Sequence, residues 1–385
     1  GRDMQAPSRA GARGSLGETG ADGIDARARV LARSATSDTT VAAKSLENFD
    51  MRPEHAVLAA CLLAASAHAG CWRDDVGSAP YEALALEPRF DGVGQVSRRQ
   101  SNGALSAFGA GTYLGNGWVL TAGHVATGMP LGEIRFILNG QEHTVASRHW
   151  PSGWDARDPA SGDDIALLRL HAPLEGVPAA RIWTGDRPDR ATVISVGYGV
   201  GGNGVAPAAG NRAKRAGTNV IDRFGNVPTV GGTLPLNPRV FTCDFDSPHS
   251  SAANTIVGSS PTPTALEYLA ATNDSGGSVW IEDGGQSYVV GVHSFVVTLA
   301  PTLQFLYGDM YSSTYVPAHL PWIRETMGVC RADLDGDFAV GVADLLAYLG
   351  LFRAQDPAAD WDGDARLDVT DLLGFLGDFR NACGD

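Results

Sequence analysis

No apolar run in this sequence is long enough to cross a bilayer, basic residues are outnumbered, and cysteine is scarce. The apolar stretch Ala56–Ala65 falls well short of the roughly 20 residues a spanning helix needs. With 29 Lys+Arg against 43 Asp+Glu and a net charge of −14, there is no basic footprint of the kind nucleic-acid binding requires. Five cysteines are too few for a disulfide scaffold. Long helical patterns are also rare. What is present is 44% hydrophobic residues, enough for real cores and against global disorder. The 48 glycines and 21 prolines favour many short strands joined by turns. At 385 residues the chain exceeds one ordinary domain and suggests a large one plus something smaller.

Charge is uneven along the chain. From Cys330 onward there are 12 Asp and 4 Arg, so −8 of the −14 lies in the tail, which points to a local acidic site. At the other end, Met51 opens Arg-Pro-Glu-His, then Ala56–Ala65, then Ala67-His68-Ala69. That order of short polar region, apolar core and small-x-small site reads as a secretory signal peptide over 51–69. Residues 1–50 lack periodicity and are expected to be a non-structural leader, with translation starting at Met51. Cys61 would leave with the signal, so Cys71, Cys243, Cys330 and Cys383 remain in an oxidising context. Cys330 and Cys383 bracket the tail and are expected to clamp it; Cys71 with Cys243 is the pair left over.

Between these ends, strand candidates alternate with turn signals. Ala107–Leu114, Gly115-Asn116-Gly117 and Trp118–Thr121 read as one hairpin. Ile134–Leu138, Asn139-Gly140 and His143–Ser147 read as a second. Further strands are expected at Ile165–Leu170, Ala191–Val196, Ser278–Ile281 and Ser287–Val297, a long surface loop over Val200–Gly217, and a helix over Ala318–Met327. Strands at this density without intervening helices indicate an antiparallel barrel or sandwich.

Three segments carry chemistry. Leu120-Thr121-Ala122-Gly123-His124-Val125 ends a strand on a histidine; Asp163-Asp164-Ile165-Ala166-Leu167-Leu168 opens an apolar strand with aspartates; Asn273-Asp274-Ser275-Gly276-Gly277-Ser278 places a serine in a glycine-rich turn. A serine hydroxyl is a weak nucleophile until a base takes its proton, and histidine suits that role when a buried carboxylate fixes its tautomer. The turn can aim the amides of Asn273 and Ser275 at one point, as an oxyanion hole requires. Each motif alone is commonplace. In the order His, Asp, Ser they resemble the trypsin-like serine proteases, over about 90–328. The resemblance implies a mainly β fold of two antiparallel six-stranded barrels at 70–328, with His124 as base, Asp164 as orienting partner and Ser275 as nucleophile. It places Leu269 and Ala270 at the base of the primary pocket and His293-Ser294-Phe295 on the strand that binds substrate backbone. Neither pocket residue is acidic, so cleavage after Lys or Arg is not supported, whereas His293 stands where glutamate-specific members carry a histidine. The chain departs from the family in three ways. Asn273 replaces a glycine, Val125 replaces the usual cysteine in the manner of bacterial-type members, and no Ile-Val-Gly-Gly is present to supply a new N-terminus to Asp274.

The tail, 330–385, repeats itself with an offset of 27. Asp333, Asp335, Gly336, Asp337 and Asp344 recur as Asp360, Asp362, Gly363, Asp364 and Asp371, and Val342, Leu345, Leu346, Leu349 and Phe352 recur as Val369, Leu372, Leu373, Leu376 and Phe379. Carboxylates at positions 1, 3, 5 and 12 before an amphipathic helix are what a calcium loop demands, with Asp368 a further donor in the second loop. The repeat resembles a type I dockerin, a small α-helical, EF-hand-like module that binds calcium and a cohesin partner. Its departures are Phe338 and Ala365 at the sixth position, where a glycine normally makes the turn. The resemblances imply a secreted or cell-surface, bacterial serine endopeptidase with a Ca2+-binding docking module. Its expected partners are a peptide substrate and a cohesin or cell-surface protein, with no nucleic acid and no membrane span after signal cleavage. The alternative from another class is a catalytically silent, protease-like binding protein docked through the same tail.

Overall fold

The structure, a computed structural model, describes residues 70–208, 213–298, 305–364 and 366–381. The leader and signal-peptide readings of 1–69, with Cys61, Ala365 and Cys383, lie outside the described residues.

The chain enters as a short strand β1 (Gly70–Cys71) and then builds a first half from β2 (Val93–Arg99), β3 (Leu105–Gly115), β4 (Trp118–Thr121), β5 (Ile134–Leu138), β6 (Gln141–His149) and β7 (Ala166–Leu170). These six close into a barrel in the order β2-β3-β4-β7-β6-β5. The two expected hairpins are β3–β4 and β5–β6. In the second, Asn139 (φ 50) and Gly140 (φ 76) both take left-handed backbone, as a two-residue primed turn needs to match strand twist. Along β5 burial alternates, with Ile134, Phe136 and Leu138 turned into the core.

The second half comprises β8 (Arg181–Ile182), β9 (Thr192–Gly197), β10 (Gly201–Gly202), β11 (Arg215–Val220), β12 (Arg223–Phe224), β13 (Val227–Thr229), β14 (Gly232–Leu234), β15 (Val240–Asp244), β16 (Ser278–Asp283), β17 (Gln286–Val297) and β18 (Met310–Tyr315). Its main sheet runs β11-β9-β16-β17-β18-β15-β12, with β8 added in parallel to β17. This sheet is open. The expectation of two closed six-stranded barrels is therefore corrected to one barrel and one half-barrel. Among the described residues no backbone ladder joins β11 to β15, and a side chain spans the gap instead: Asn219 Nδ2 donates to the carbonyls of Asp244 (2.8 Å) and Tyr268 (2.9 Å). The expected loop over Val200–Gly217 is likewise corrected at its end, because Arg215 already opens β11.

Cys71 and Cys243 are free thiols, both fully buried in the apolar core of the second half, so the leftover pairing is corrected too. Their even number suggested a bridge, but small buried hydrophobes are the other common use of cysteine. Cys330 is disulfide-bonded, while its expected partner Cys383 lies outside the described residues.

The helix expected near 318–327 spans Leu320–Met327 and ends on Gly328, whose φ of 67 closes it with a left-handed cap. The tail contributes two helices, Val342–Ala354 and Val369–Asn381, around a small aromatic core in which Tyr348 and Phe375 stack at 4.0 Å with Trp361 edge-on to both. The tail does not hang free. Phe338 keeps the left-handed backbone expected of glycine at its position (φ 62), and its side chain is buried in one apolar cluster with Ile182, Val316 and Ile323 of the body. Arg181 reaches Asp337 at 3.3 Å, and Arg324 donates to the carbonyl of Asp333 at 2.8 Å. No helix among the described residues is long and apolar enough to cross a membrane.

Candidate active site and acidic loops

His124 sits in the first turn of a short helix, Gly123–Thr127, that follows β4, and Asp164 precedes β7, which pairs with β4. Neighbouring strands of one barrel thus deliver both groups to the same end. Asp164 is fully buried and its carboxylate accepts three hydrogen bonds: one oxygen from the His124 amide (2.9 Å), the other from His124 Nδ1 (2.8 Å) and the hydroxyl of Ser294. A carboxylate only accepts, so Nδ1 carries the proton and Nε2 is left to act as a base. Burial pushes the imidazole pKa down, but the charge and hydrogen bond of Asp164 outweigh it and hold the pKa above its ordinary value.

The serine comes from the second half. The Asn273–Gly277 turn packs against the end of β4: a Cβ on Gly276 would overlap Thr121 Oγ1 and the Ala110 carbonyl, and one on Gly277 would lie 2.5 Å from the Val196 carbonyl. Gly276 has φ 80, and Asn273 takes φ 73, the left-handed backbone that asparagine tolerates best after glycine. The Ser275 carbonyl accepts from the Ala110 amide of β3 at 2.8 Å, which pins the turn to the first barrel. Among the described residues no hydrogen bond joins the Ser275 hydroxyl to His124; the serine is half-buried. Such bonds are often long in an enzyme without substrate and tighten on binding.

Asp274, for which no new N-terminus was evident, is satisfied internally. Its carboxylate accepts from the amides of Gly199 (2.6 Å) and Ala271 (2.8 Å). Burial still pushes it up to about 6.

The expected substrate residues have divided roles. Ser294 is an irregular position in the β17–β18 ladder, where pairing shifts between His293 and Phe295, and that bulge turns its hydroxyl onto Asp164. Ser294 and Thr314, whose hydroxyl donates to the Asp164 carbonyl at 3.0 Å, are members of the site that motif reading alone did not assign to the aspartate. Leu269 and Ala270 are buried in the core of the second half, and Phe295 packs against a separate apolar cluster. His293 is 2% exposed; Nδ1 meets Ser313 Oγ at 3.2 Å, Nε2 is buried without a partner, and burial pushes its pKa down to about 3.

In the tail the two loops fold alike. Asp333, Asp335 and Asp337 bring one carboxylate oxygen each within 4.8 Å of one another, and Asp360, Asp362 and Asp364 do the same. Asp344 and Asp371, expected as the twelfth-position ligands, are not brought into these groups. Asp344 accepts the amides of Leu334, Asp335 and Gly341, and Asp371 those of Trp361, Asp362 and Asp368. Asp368 instead caps Thr370.

No curated protein matches this chain. Residues 89–222 match the model of the family described as Trypsin, a segment that holds His124 and Asp164 and stops short of the Ser275 turn, and together with the closed barrel and half-barrel it supports a trypsin-like serine protease.

Proposed function

We propose that the chain is a secreted serine endopeptidase acting through His124, Asp164 and Ser275. The observation that carries this reading is the fully buried, triply hydrogen-bonded Asp164, which fixes the His124 tautomer at the end of β4 where the glycine turn bearing Ser275 packs. Nε2 of His124 takes the Ser275 proton as Oγ attacks the scissile carbonyl, and the amides of Asn273 and Ser275 receive the charge on the carbonyl oxygen. His124 then gives that proton to the leaving amine, and water releases the acyl group by the same steps in reverse. The test is labelling by a fluorophosphonate of the chain from Gly70 onward, beside Ser275→Ala. Labelling of the wild type alone supports the activated serine. A folded wild type that does not label supports the second reading, a silent binding protein, which Asn273 in the place of the family's glycine favours.

His293 is the candidate reader of the residue before the scissile bond by its place on the strand expected to bind substrate; its Nε2 is buried, so a substrate carboxylate reaches it only once the side chain turns outward. A peptide panel varied at that residue checks this, with a gain of about tenfold or more expected for Glu over Ala; no gain removes the assignment.

The tail is read as a dockerin-like docking module. The three carboxylates of each loop fit a hard cation that takes six to eight oxygens, and Ca2+ there would neutralise charge that otherwise repels. Val342, Leu346, Val369 and Leu373 are each more than half exposed and repeat in register, an apolar face suited to a cohesin or cell-surface partner. Titration calorimetry of the full chain with Ca2+ tests the loops. Binding at about 100 times Kd should add about 2.7 kcal/mol to stability, and neither heat nor a melting shift would refute them.

A further inference from the structure

The aspartate next to the triad is held more elaborately than a strand-opening residue needs. Asp163 is 6% exposed. Its Oδ2 pairs with Arg239 Nη2 at 2.8 Å, and the same nitrogen reaches the Ser161 carbonyl at 3.3 Å. His319 donates from Nε2 to the Gly162 carbonyl at 2.8 Å, which fixes the backbone beside Asp163 and leaves Nδ1 unprotonated, 3.9 Å from Asp163 Oδ1. Space around this turn is tight. A Cβ on Gly153 would overlap Asp163 Oδ2, and one on Gly162 (φ 80) would lie 2.8 Å from Arg239 Cβ.

Both clamping residues belong to the second half of the molecule. Arg239 immediately precedes β15, and His319 ends the short turn after β18. The Tyr315 amide donates to the Arg239 carbonyl at 2.8 Å, and the adjacent Thr314 holds the Asp164 carbonyl. Ser294, which grips the Asp164 carboxylate, lies on β17, paired with β18. The grip on Asp163 and the grip on Asp164 therefore run back to the same three strands. Asp164 and His124 are built on the first barrel and Ser275 on the second half, so this turn sets the register between them.

We propose that Asp163 is a positioning residue, clamped by Arg239 while His319 holds the adjoining Gly162 carbonyl, so that Asp164 meets both His124 and Ser294 across the junction of the two halves. The proposal rests on the triad reading, and a measurement on His124 that needs no activity keeps the two separable. In 13C-histidine-labelled protein, with the His124 signal assigned by its loss in His124→Gln, Asp163→Ala should lower the His124 midpoint by about half a pH unit or more as the Asp164 pairing loosens. Asp163→Asn, which keeps the hydrogen bonds and removes the charge, should stay near wild type. The phosphonylation rate should fall about tenfold in Asp163→Ala and be largely rescued in Asp163→Asn. Arg239→Met, cut at the 40% exposed end of the clamp, should move both readouts as Asp163→Ala does and stands in should that variant fail to fold. Folded variants with an unchanged His124 midpoint would overturn the proposal, as would Asn behaving like Ala, which would reduce Asp163 to a distant charge. A wild type that never labels while the His124 midpoint still shifts would refute the protease and leave the positioning intact.

Discussion

The two halves that share the site are built on different terms. The first is a closed barrel whose interior is almost wholly apolar, from Val93 and Val96 through Phe136 to Leu167 and Leu168. The second is an open sheet that buries acids: Asp222, Asp244, Asp246, Asp274 and Glu267 are each 6% exposed or less. Apolar burial is indifferent to pH and direction, whereas buried carboxylates demand partners and protons. The apolar half thus holds His124 and Asp164, and the acid-burying half holds Ser275.

The comparison breaks most sharply at Asp164. Asp164→Asn should leave the barrel folded yet lower the turnover rate by about 10^4, because an amide stabilises the wrong His124 tautomer; steady-state hydrolysis with a far-UV spectrum checks both parts. Next comes Gly276→Ala in the second half. The overlap with Thr121 Oγ1 and the left-handed φ should cost several kcal/mol, roughly 3 or more, seen as a lower denaturant midpoint together with lost labelling.

The third prediction separates the halves by pH. Burial pushes Glu267 up to about 8 and Asp246 to about 7, and raises Asp222 beside Asp244. These groups keep protons in the folded chain that the unfolded chain sheds near pH 4. Stability is therefore full below the unfolded pKa and declines as pH rises toward the folded values, by about 1.4 kcal/mol per pH unit for each group still protonated. The melting temperature should be higher at pH 5 than at pH 8, and hydrogen exchange should speed up at high pH in β15 and β18 before β3 and β4. The smallest effect belongs to Arg181→Ala, which removes a partly exposed pair to the tail and should cost under about 1 kcal/mol. A larger loss in thermal unfolding would make the ion pair, rather than Phe338, the main tie.

Legibility in the sequence followed the same division. The hairpins of the first barrel were readable because Asn-Gly turns and alternating apolar residues both announce themselves, and the His124–Asp164 pair because its motifs are local. Strands β11 and β18 were not. Arg-Ala-Gly-Thr-Asn-Val shows no alternation, and Met-Tyr-Ser-Ser-Thr-Tyr is buried through hydroxyl pairs such as Thr242 with Ser312 at 2.8 Å, which look polar on paper. The role of Ser294 depends on a bulge, and the clamp on Asp163 on three distant segments; neither leaves a periodic trace. In the tail the offset of 27 exposed both loops, but not that Phe338 would be spent on the body.

That anchor changes what the tail can do in terms of reach. Val329 alone separates the helix cap at Gly328 from the disulfide-bonded Cys330, and Phe338 seats the next loop, so among the described residues no flexible linker lies between the tail and the body. For a flexible tether, effective concentration falls gradually with length; for an anchored module it is high at one separation and negligible elsewhere. On the docking proposal, a protein held at the exposed helices would be presented to the proposed active site at a single fixed offset, so geometry, not affinity, would select which neighbours could be reached.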